Sequence, residues 1–167
     1  VGVKLIEKHL GTLNGKKALI IGLGDMGTLT LQHLNELHAD ITICNRTYAN
    51  SLKVKEDYPS VKILPYEDRI PGITQSDILI SATSSPHTIV NPSDIEPRDR
   101  DLYIMDLSLP RDVDPLGGQK EAVKLFDIDE LEQVVQENMG ERREILASYE
   151  EEMNEIIDET LHWITAT

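Results

Sequence analysis

Short continuous runs of apolar residues recur through the first 127 residues of the chain, and they alternate with stretches whose apolar residues follow a helical spacing. Such runs are typical of strands buried on both faces of a parallel sheet. They predict strands over residues 18–21, 41–44, 61–64, 77–81, 102–106 and 123–126. The helical stretches cover residues 1–10, 26–37, 48–57 and, less clearly, 66–70. This alternation predicts an α/β fold with a doubly wound, mostly parallel sheet and right-handed crossovers.

The pattern changes after residue 127 to that of one long helix over residues 128–164, whose apolar positions repeat about every 3.5 residues. At ~1.5 Å per residue this helix would extend roughly 55 Å, well beyond a compact domain. Gly140 is a candidate bend, because glycine weakens a helix interior. The rest of the helix surface is acidic, and we expect a partner chain or a further domain to cover the apolar stripe.

A glycine-rich turn joins the first predicted strand to the helix that follows it. Turns of the pattern G-x-G-x-x-G bind dinucleotides when they lie between a strand and a helix, because the glycines permit a tight turn and a close approach of the backbone to the pyrophosphate. The helix N-terminus then favours the diphosphate through its free N–H groups and its dipole. We therefore predict a Rossmann-type cofactor site at Gly22, Leu23, Gly24, Asp25, Met26 and Gly27.

The residues after the second predicted strand indicate which dinucleotide binds. An NAD site usually has an Asp or Glu there, which bonds the ribose 2′-hydroxyl. This chain has Asn45, Arg46 and Thr47 instead. Arginine forms charge-assisted, forked hydrogen bonds with phosphate, so the site predicts NADP(H), with Asn45 and Thr47 as neutral donors. The alternative is that Arg46 is a solvated residue at a helix start and Thr47 an N-cap.

Two loops that follow later strands are predicted at the same edge of the sheet, where open α/β sheets bind their ligands. Contacts to the ribose or the nicotinamide are expected from Thr83, Ser84, Ser85, Leu107 and Ser108. His87 either donates a hydrogen bond to the cofactor or is a structural residue of the turn. Asp106 is expected to shape its loop, and Arg111 to pair with Asp112 as a brace.

Composition limits the number of domains and the class of partner. A chain of 167 residues suits one α/β domain with an appendage. Its net charge is −14, of which residues 127–167 contribute −11. Such an acidic chain lacks the overall positive charge that general binding of nucleic acid requires. No apolar stretch is long enough to cross a membrane. The single cysteine excludes an intrachain disulfide, and no spacing of His, Cys and acidic residues suggests a metal site. A cytoplasmic protein is expected, and we predict an NADP(H)-binding domain over residues 1–127, with a leading helix over 1–12, and a linker helix over 128–167.

The motifs in order resemble the NADPH-binding domain of glutamyl-tRNA reductases. The resemblance covers nearly the whole chain. Its most specific part is Pro-Arg-Asp-Val-Asp-Pro at residues 110–115 combined with Ser-Pro-His at residues 85–87. The other matching segments are residues 13–17, 22–27, 45–47, 81–84, 106–109 and 127–131. Shikimate dehydrogenases share the Asn-Arg-Thr feature but lack the acidic tail.

The resemblance implies a V-shaped homodimer in which an N-terminal catalytic domain, this NADPH domain and a C-terminal dimerisation domain are arranged along a spinal helix. In the family a cysteine of the N-terminal domain attacks glutamyl-tRNA, and hydride from NADPH reduces the thioester to glutamate-1-semialdehyde, an early step of tetrapyrrole (porphyrin and haem) biosynthesis. Coupling to the downstream aminomutase is also implied. This chain matches only the middle domain and the spine, so we expect it to bind cofactor without turning over substrate.

Cys44 is not expected to be catalytic, although Cys44-Asn45-Arg46 imitates the context of the family's nucleophile. It closes a predicted strand, where a small buried apolar residue belongs. No catalytic residue is therefore assigned within this chain. Two other functions stay open. One is a shikimate-dehydrogenase-like oxidoreductase, whose substrate domain with catalytic Lys and Asp is not found here, and the other is a non-catalytic NADP-binding module whose long helix recruits partners.

Overall fold

The computed structural model describes residues 14–108, 110–127 and 149–165. The predicted leading helix and residues 128–148 of the predicted long helix lie outside the described residues. The candidate bend at Gly140 lies outside them as well.

The described residues form a parallel sheet of six strands in the order β3-β2-β1-β4-β5-β6. This order reverses direction between β1 and β4, which is the arrangement of a doubly wound dinucleotide-binding sheet. The strands are β1 (Lys17–Ile21), β2 (Asp40–Cys44), β3 (Lys62–Ile63), β4 (Ile78–Ser81), β5 (Leu102–Asp106) and β6 (Val123–Asp127). The predicted fold class is confirmed.

The register of the strands aligns their carboxyl ends. Ile21 pairs with Cys44 on one side and with Ser81 on the other, and Ser81 pairs in turn with Asp106. Residues that immediately follow β1, β2, β4 and β5 therefore emerge at one edge of the sheet. This alignment brings together the loops that the sequence analysis selected separately.

Four α-helices are described: α1 (Asp25–Glu36), α2 (Tyr48–Asp57), α3 (Arg69–Thr74) and α4 (Tyr149–Thr165). The helix expected over residues 66–70 is instead a 3-10 turn over Tyr66–Asp68 that leads directly into α3. β3 is also shorter than the predicted 61–64, because this edge strand pairs only with β2 and Pro65 follows it closely. Further 3-10 turns cover Pro92–Asp94 and Pro115–Gln119.

Hydrophobic side chains cover both faces of the sheet, which explains the continuous apolar runs of the central strands. On β1, Ala18 and Ile20 belong to the cluster on one face, while Leu19 and Ile21 belong to the cluster on the other. All four are almost completely buried. The glycine loop at the end of β1 is therefore anchored in the centre of the core.

Helix α4 packs against α1 and completes the core on one face. Its Ile156, Ile157 and Leu161 are buried in the same cluster as Leu31 and Leu34 of α1. The expectation that a partner chain or a further domain covers the whole apolar stripe is wrong for these three positions, because α1 of the same chain covers them. Each such buried side chain contributes roughly 1.5–3 kcal/mol.

Polar contacts fix the position of α4 on α1. The His33 ring is within hydrogen-bond distance of the Asn154 side chain, with 2.7 Å between Nε2 and Oδ1. Its Nδ1 lies 3.3 Å from a carboxylate oxygen of Asp158. None of the described helices is both long enough and apolar enough to cross a membrane.

Candidate functional site

A cleft of about 670 Å³ opens at the carboxyl edge of the sheet, where the strand order reverses between β1 and β4. Doubly wound sheets bind their ligands at this reversal. The cleft is lined by Gly22, Leu23, Gly24, Asp25, Met26, Asn45, Arg46, Thr47, Asn50, Tyr66, Ala82, Thr83, Ser84, Ser85, Leu107 and Ser108. Every residue predicted for the cofactor site is among them, except Gly27 and His87.

The three glycines of the loop have different surroundings. Gly22 has φ +98°, and a Cβ there would lie 2.3 Å from the carbonyl oxygen of Ala82. A Cβ on Gly27 would lie 1.8 Å from the carbonyl oxygen of Gly22, which explains why Gly27 does not line the cleft. A Cβ on Gly24 would meet nothing within 4 Å. The first and third glycines therefore serve close packing, and the second leaves open space for a ligand.

The N-terminus of α1 opens into this space. Gly24 is its N-cap and supplies no side-chain hydrogen bond, so the N–H groups of the first turn keep their capacity to bind an anion. The Thr28 hydroxyl instead donates to the carbonyl oxygen of Gly24 at 2.9 Å, which holds the loop against the helix. These features fit a diphosphate bound at the N-terminus of α1.

Asn45 connects the two loops that would hold the adenosine half of a dinucleotide. Its side-chain oxygen accepts a hydrogen bond from the N–H of Leu23 at 3.2 Å, and its amide nitrogen donates to the carbonyl oxygen of Thr47 at 3.0 Å. Leu23 lies in the glycine loop, 22 positions earlier in the sequence. Asn45 was predicted as a donor to the phosphate, but its side chain is engaged in joining the two loops.

Arg46 is exposed at the edge of the cleft, directly after β2. Its guanidinium carbon lies 5.5 Å from the centroid of the Tyr66 ring. Thr47 occupies the N-cap position of α2, as the alternative interpretation proposed, but its side chain makes no capping hydrogen bond. The position after β2 therefore presents a cation and a hydroxyl to the same cleft as the glycine loop.

A buried carboxylate organises the loops on the opposite side of the cleft. Asp112 is fully buried and accepts hydrogen bonds from the Ser81 hydroxyl at 2.7 Å and from the Thr83 N–H at 2.9 Å. The hydroxyls of Thr83 and Ser108 also donate to it. Thr83 and Ser108 line the cleft, so Asp112 fixes two expected cofactor contacts without lining the cleft itself. The predicted pairing of Arg111 with Asp112 stays a prediction.

Asp106 shapes the loop after β5, as expected. Its carboxylate accepts hydrogen bonds from the N–H groups of Ser108 at 3.1 Å and Val113 at 2.9 Å. Burial raises the pKa of the Asp106 carboxyl, and these backbone N–H groups oppose that rise. Because each of the two donors lies in the chain beyond β5, Asp106 holds the turn that leads to Asp112.

The turn after β4 contains the remaining predicted residues. Ser85 is buried, its hydroxyl donates to the His87 carbonyl oxygen at 2.8 Å, and it accepts from the His87 N–H at 3.3 Å. The exposed side chain of His87 does not line the cleft, which favours the structural interpretation of this residue. Asn50, Tyr66 and Ala82 line the cleft but were not predicted. Ala82 directly follows β4, and Asn50 lies in the first turn of α2, so their positions gave a local signal, whereas Tyr66 had none.

Cys44 has the properties of a core residue. It is fully buried, and burial raises the pKa of its thiol to about 11. Its sulfur lies 3.7 Å from the carbonyl oxygen of Pro65. The described residues also contain no group of three or more His, Cys, Asp or Glu side chains that would hold a metal ion.

The burial of Cys44 predicts slow modification by a thiol reagent. At pH 8 roughly one thiol in a thousand is ionised when its pKa is near 11, and the thiolate is the reactive form. We expect the native chain to react at least a hundredfold more slowly than the chain in denaturant, as followed by the absorbance of a released aromatic thiolate. Because the chain has a single cysteine, the measurement reports on this site alone. Equal rates in the two states would contradict the assignment.

The strand order, the glycine loop and the cleft at the reversal define a Rossmann-type domain that binds NAD(P). The family model described as shikimate / quinate 5-dehydrogenase matches residues 4–134. The chain belongs to this family.

Individual relatives carry the resemblance further. The chain is 39% identical over 165 residues to a glutamyl-tRNA reductase of Clostridium novyi, covering 98% of this chain and 40% of that protein. It is 38% identical over 154 residues to one from Archaeoglobus fulgidus, covering 89% of this chain and 35% of that protein. A solved glutamyl-tRNA reductase from Methanopyrus kandleri superposes with a TM-score of 0.71 at 25% identity, over 97% of this chain and 41% of that one. The predicted resemblance to glutamyl-tRNA reductases is confirmed, and the chain spans about two fifths of the curated relatives it matches.

Proposed function

We propose that this chain is the NADPH-binding part of a glutamyl-tRNA reductase. The observation that carries the proposal is the exposed guanidinium of Arg46, which follows β2 and shares one cleft with the open face of Gly24. An acidic residue at this position would repel a 2′-phosphate, whereas an arginine attracts it. The names of the relatives support the identity of the larger enzyme.

We assign each part of NADPH to a set of residues at the cleft. The first N–H groups of α1, beside Gly24, would hold the diphosphate, and Arg46 with Thr47 would hold the 2′-phosphate. The loops after β4 and β5 would hold the nicotinamide end, through Thr83, Ser84, Ser85, Leu107 and Ser108. When bound, NADPH supplies a hydride, and the chain's own residues bind the cofactor and orient it.

The remaining parts of the reaction belong to the longer enzyme. We place the nucleophilic cysteine outside this chain, because Cys44 is buried and its thiol is protonated near neutral pH. Glutamyl-tRNA would be bound by the longer enzyme and not by this acidic chain. The proposal includes a homodimer, a cytoplasmic location and coupling to the aminomutase that follows in tetrapyrrole synthesis.

The cofactor assignment predicts a selective effect of Arg46→Ala. Loss of a charge-assisted contact to the 2′-phosphate is expected to weaken NADPH binding by about ten- to a hundredfold, while NADH binding changes by less than about twofold. The measurement is a titration of the chain with each cofactor, followed by nicotinamide fluorescence. Arg46→Lys is the matched control, because it keeps the charge and loses the forked geometry. Its affinity for NADPH should lie between those of the unchanged chain and of Arg46→Ala. Equal losses for NADPH and NADH would show that Arg46 does not bind the 2′-phosphate.

The alternative, a shikimate-dehydrogenase-like oxidoreductase, rests on the family match. The enzyme that contains this chain should oxidise NADPH when given glutamyl-tRNA and should not reduce NADP⁺ when given shikimate. The opposite result would favour the alternative. An enzyme that binds NADPH and acts on neither substrate would favour a non-catalytic NADP-binding module.

A further inference from the structure

The side chain that would recognise the 2′-phosphate has one close partner among the described residues. Arg46 is exposed, and the contact that the structure records for its guanidinium is the ring of Tyr66, at 5.5 Å from the ring centroid. Arginine side chains lose considerable rotamer freedom when they bind a ligand. A partner that already restricts Arg46 in the free protein would therefore reduce the entropy lost on binding.

Tyr66 is itself held in place by a second guanidinium. Arg69 lies with its guanidinium carbon 4.4 Å from the centroid of the same ring. Tyr66 opens the 3-10 turn after Pro65, and it is half-buried at the wall of the cleft. The ring is thus in contact with two cations, one exposed at the cleft and one on the adjoining helix α3.

Arg69 is anchored by hydrogen bonds from two of its guanidinium nitrogens to backbone carbonyl oxygens. Its Nε donates to the Ile89 carbonyl oxygen at 3.3 Å, and its Nη1 donates to the Tyr66 carbonyl oxygen at 3.2 Å. These bonds connect the turn at Tyr66 to the loop after β4. Arg69 also does not line the cleft. Its guanidinium is anchored to the backbone, and its contact with the ring fixes Tyr66.

We infer that Tyr66, fixed by Arg69, is the residue that positions Arg46 and thereby sets the preference of the site for a dinucleotide with a 2′-phosphate. This inference rests on the proposed function. Tyr66 and Arg69 are positioning residues, since they act through Arg46. The aromatic ring is the part of Tyr66 that matters, because the face of the ring attracts the guanidinium.

The test compares Tyr66→Leu with Tyr66→Phe in titrations with NADPH and with NADH. Loss of an exposed cation–π contact corresponds to a change in affinity of about two- to fivefold, so Tyr66→Leu should lower the NADPH to NADH affinity ratio by that factor. Tyr66→Phe keeps the ring face and should keep the ratio of the unchanged chain. If Tyr66 had only a structural role, Tyr66→Leu would weaken the binding of NADPH and NADH by the same factor and leave their affinity ratio constant.

A double-mutant cycle separates positioning of Arg46 from direct contact with the cofactor. If Tyr66 acts through Arg46, Tyr66→Leu should have no further effect on the ratio in a chain that already carries Arg46→Ala. Additive losses would overturn the inference. If a thermal unfolding measurement shows that Tyr66→Leu is not folded, Arg69→Leu replaces it. Arg69→Leu is expected to lower the NADPH to NADH affinity ratio by a smaller factor. An unchanged ratio in Arg69→Leu would equally overturn the inference.

The outcomes distinguish this inference from the proposed function. If the unchanged chain shows no preference for NADPH, the assignment of NADPH fails, and the inference fails with it. If the chain prefers NADPH but Arg46→Ala weakens binding of both cofactors equally, Arg46 does not bind the 2′-phosphate, and the inference fails for that reason. If Arg46→Ala removes the preference but Tyr66→Leu leaves it intact, only the positioning role of Tyr66 fails.

Discussion

Gly27→Ala is expected to destabilise the chain by about 3 kcal/mol or more, because the new methyl group would collide with backbone atoms. The Cβ would lie 1.8 Å from the carbonyl oxygen of Gly22 and 2.8 Å from its carbonyl carbon. A flexible side chain can turn away from such a contact, but these atoms belong to the tight turn at the end of β1. The start of α1 would therefore have to move away from the sheet.

Movement of α1 would disturb more than the glycine loop. Leu31 and Leu34 of α1 are fully buried between the sheet and α4, so a shift of this helix opens the core on both of its sides. Protein cores are close-packed and tolerate such shifts poorly. The expected result is a large fall in the denaturant midpoint, measured by circular dichroism, and loss of NADPH binding.

Gly24→Ala is the matched control for Gly27→Ala. A Cβ on Gly24 would meet nothing within 4 Å, and the backbone of Gly24 has φ −75°, which alanine adopts readily. Gly24→Ala should therefore cost less than about 1 kcal/mol of stability, through the weaker N-cap, and should weaken cofactor binding by crowding the diphosphate. If both variants unfolded at the same denaturant concentration, the division of roles among the glycines would be refuted.

Asp112→Ala is expected to have a comparably large effect, about 3 kcal/mol or more, because it removes the common acceptor of several hydrogen-bond donors. Without the carboxylate, the hydroxyls of Ser81 and Thr83 lose their acceptor. The Thr83 N–H keeps the Ser108 hydroxyl oxygen at 3.0 Å, and the Ser108 hydroxyl keeps the Ser81 carbonyl oxygen at 3.4 Å. Each unsatisfied buried donor costs roughly 1–3 kcal/mol, and the costs are not additive. The expected result is a lower denaturant midpoint together with weaker binding of NADPH and NADH alike.

Asp112→Asn tests whether the arrangement of hydrogen-bond acceptors or the negative charge of Asp112 explains this effect. Its remaining oxygen can occupy the position of Oδ2 and accept from the Thr83 N–H, while its amide nitrogen faces the Thr83 hydroxyl, which can act as an acceptor. Asp112→Asn should therefore retain more than half of the stability that Asp112→Ala loses. A loss as large as that of Asp112→Ala would show that the negative charge, rather than the arrangement of acceptors, holds the loops.

The sequence predicted those parts of the fold that depend on local pattern. Buried parallel strands require continuous apolar runs, so β1, β2, β4, β5 and β6 were visible within about one residue of their ends. The turn at Gly22 and the close contact at Gly27 admit no side chain, and the chain shows this as a fixed spacing of glycines. Edge strand β3 and helix α3 were described less accurately, because Pro65 and Pro71 interrupt their patterns.

Much of the cleft was also predictable, because residues that follow parallel strands meet at one edge. The roles of individual side chains were not, since they depend on partners distant in the sequence. The Asn45 side chain accepts a hydrogen bond from the glycine loop. Asp112 accepts one from Thr83, which lies 29 positions earlier in the sequence. The contact of Tyr66 with Arg46 has no local signal, because an aromatic residue in a turn is compatible with many neighbours.

The amino-acid pattern by itself determined the parallel sheet, the glycine loop and the cation after β2, since each follows from the type and spacing of neighbouring residues. Only the tertiary structure decided which atoms satisfy the buried donors and where the apolar face of α4 lies. Helical spacing shows that a helix has an apolar face but does not say what covers it, and here the answer is α1, joined across 121 positions by His33 and Asn154. The spacing of neighbouring residues determined the helices and strands, and packing between residues distant in the sequence determined which of them are in contact.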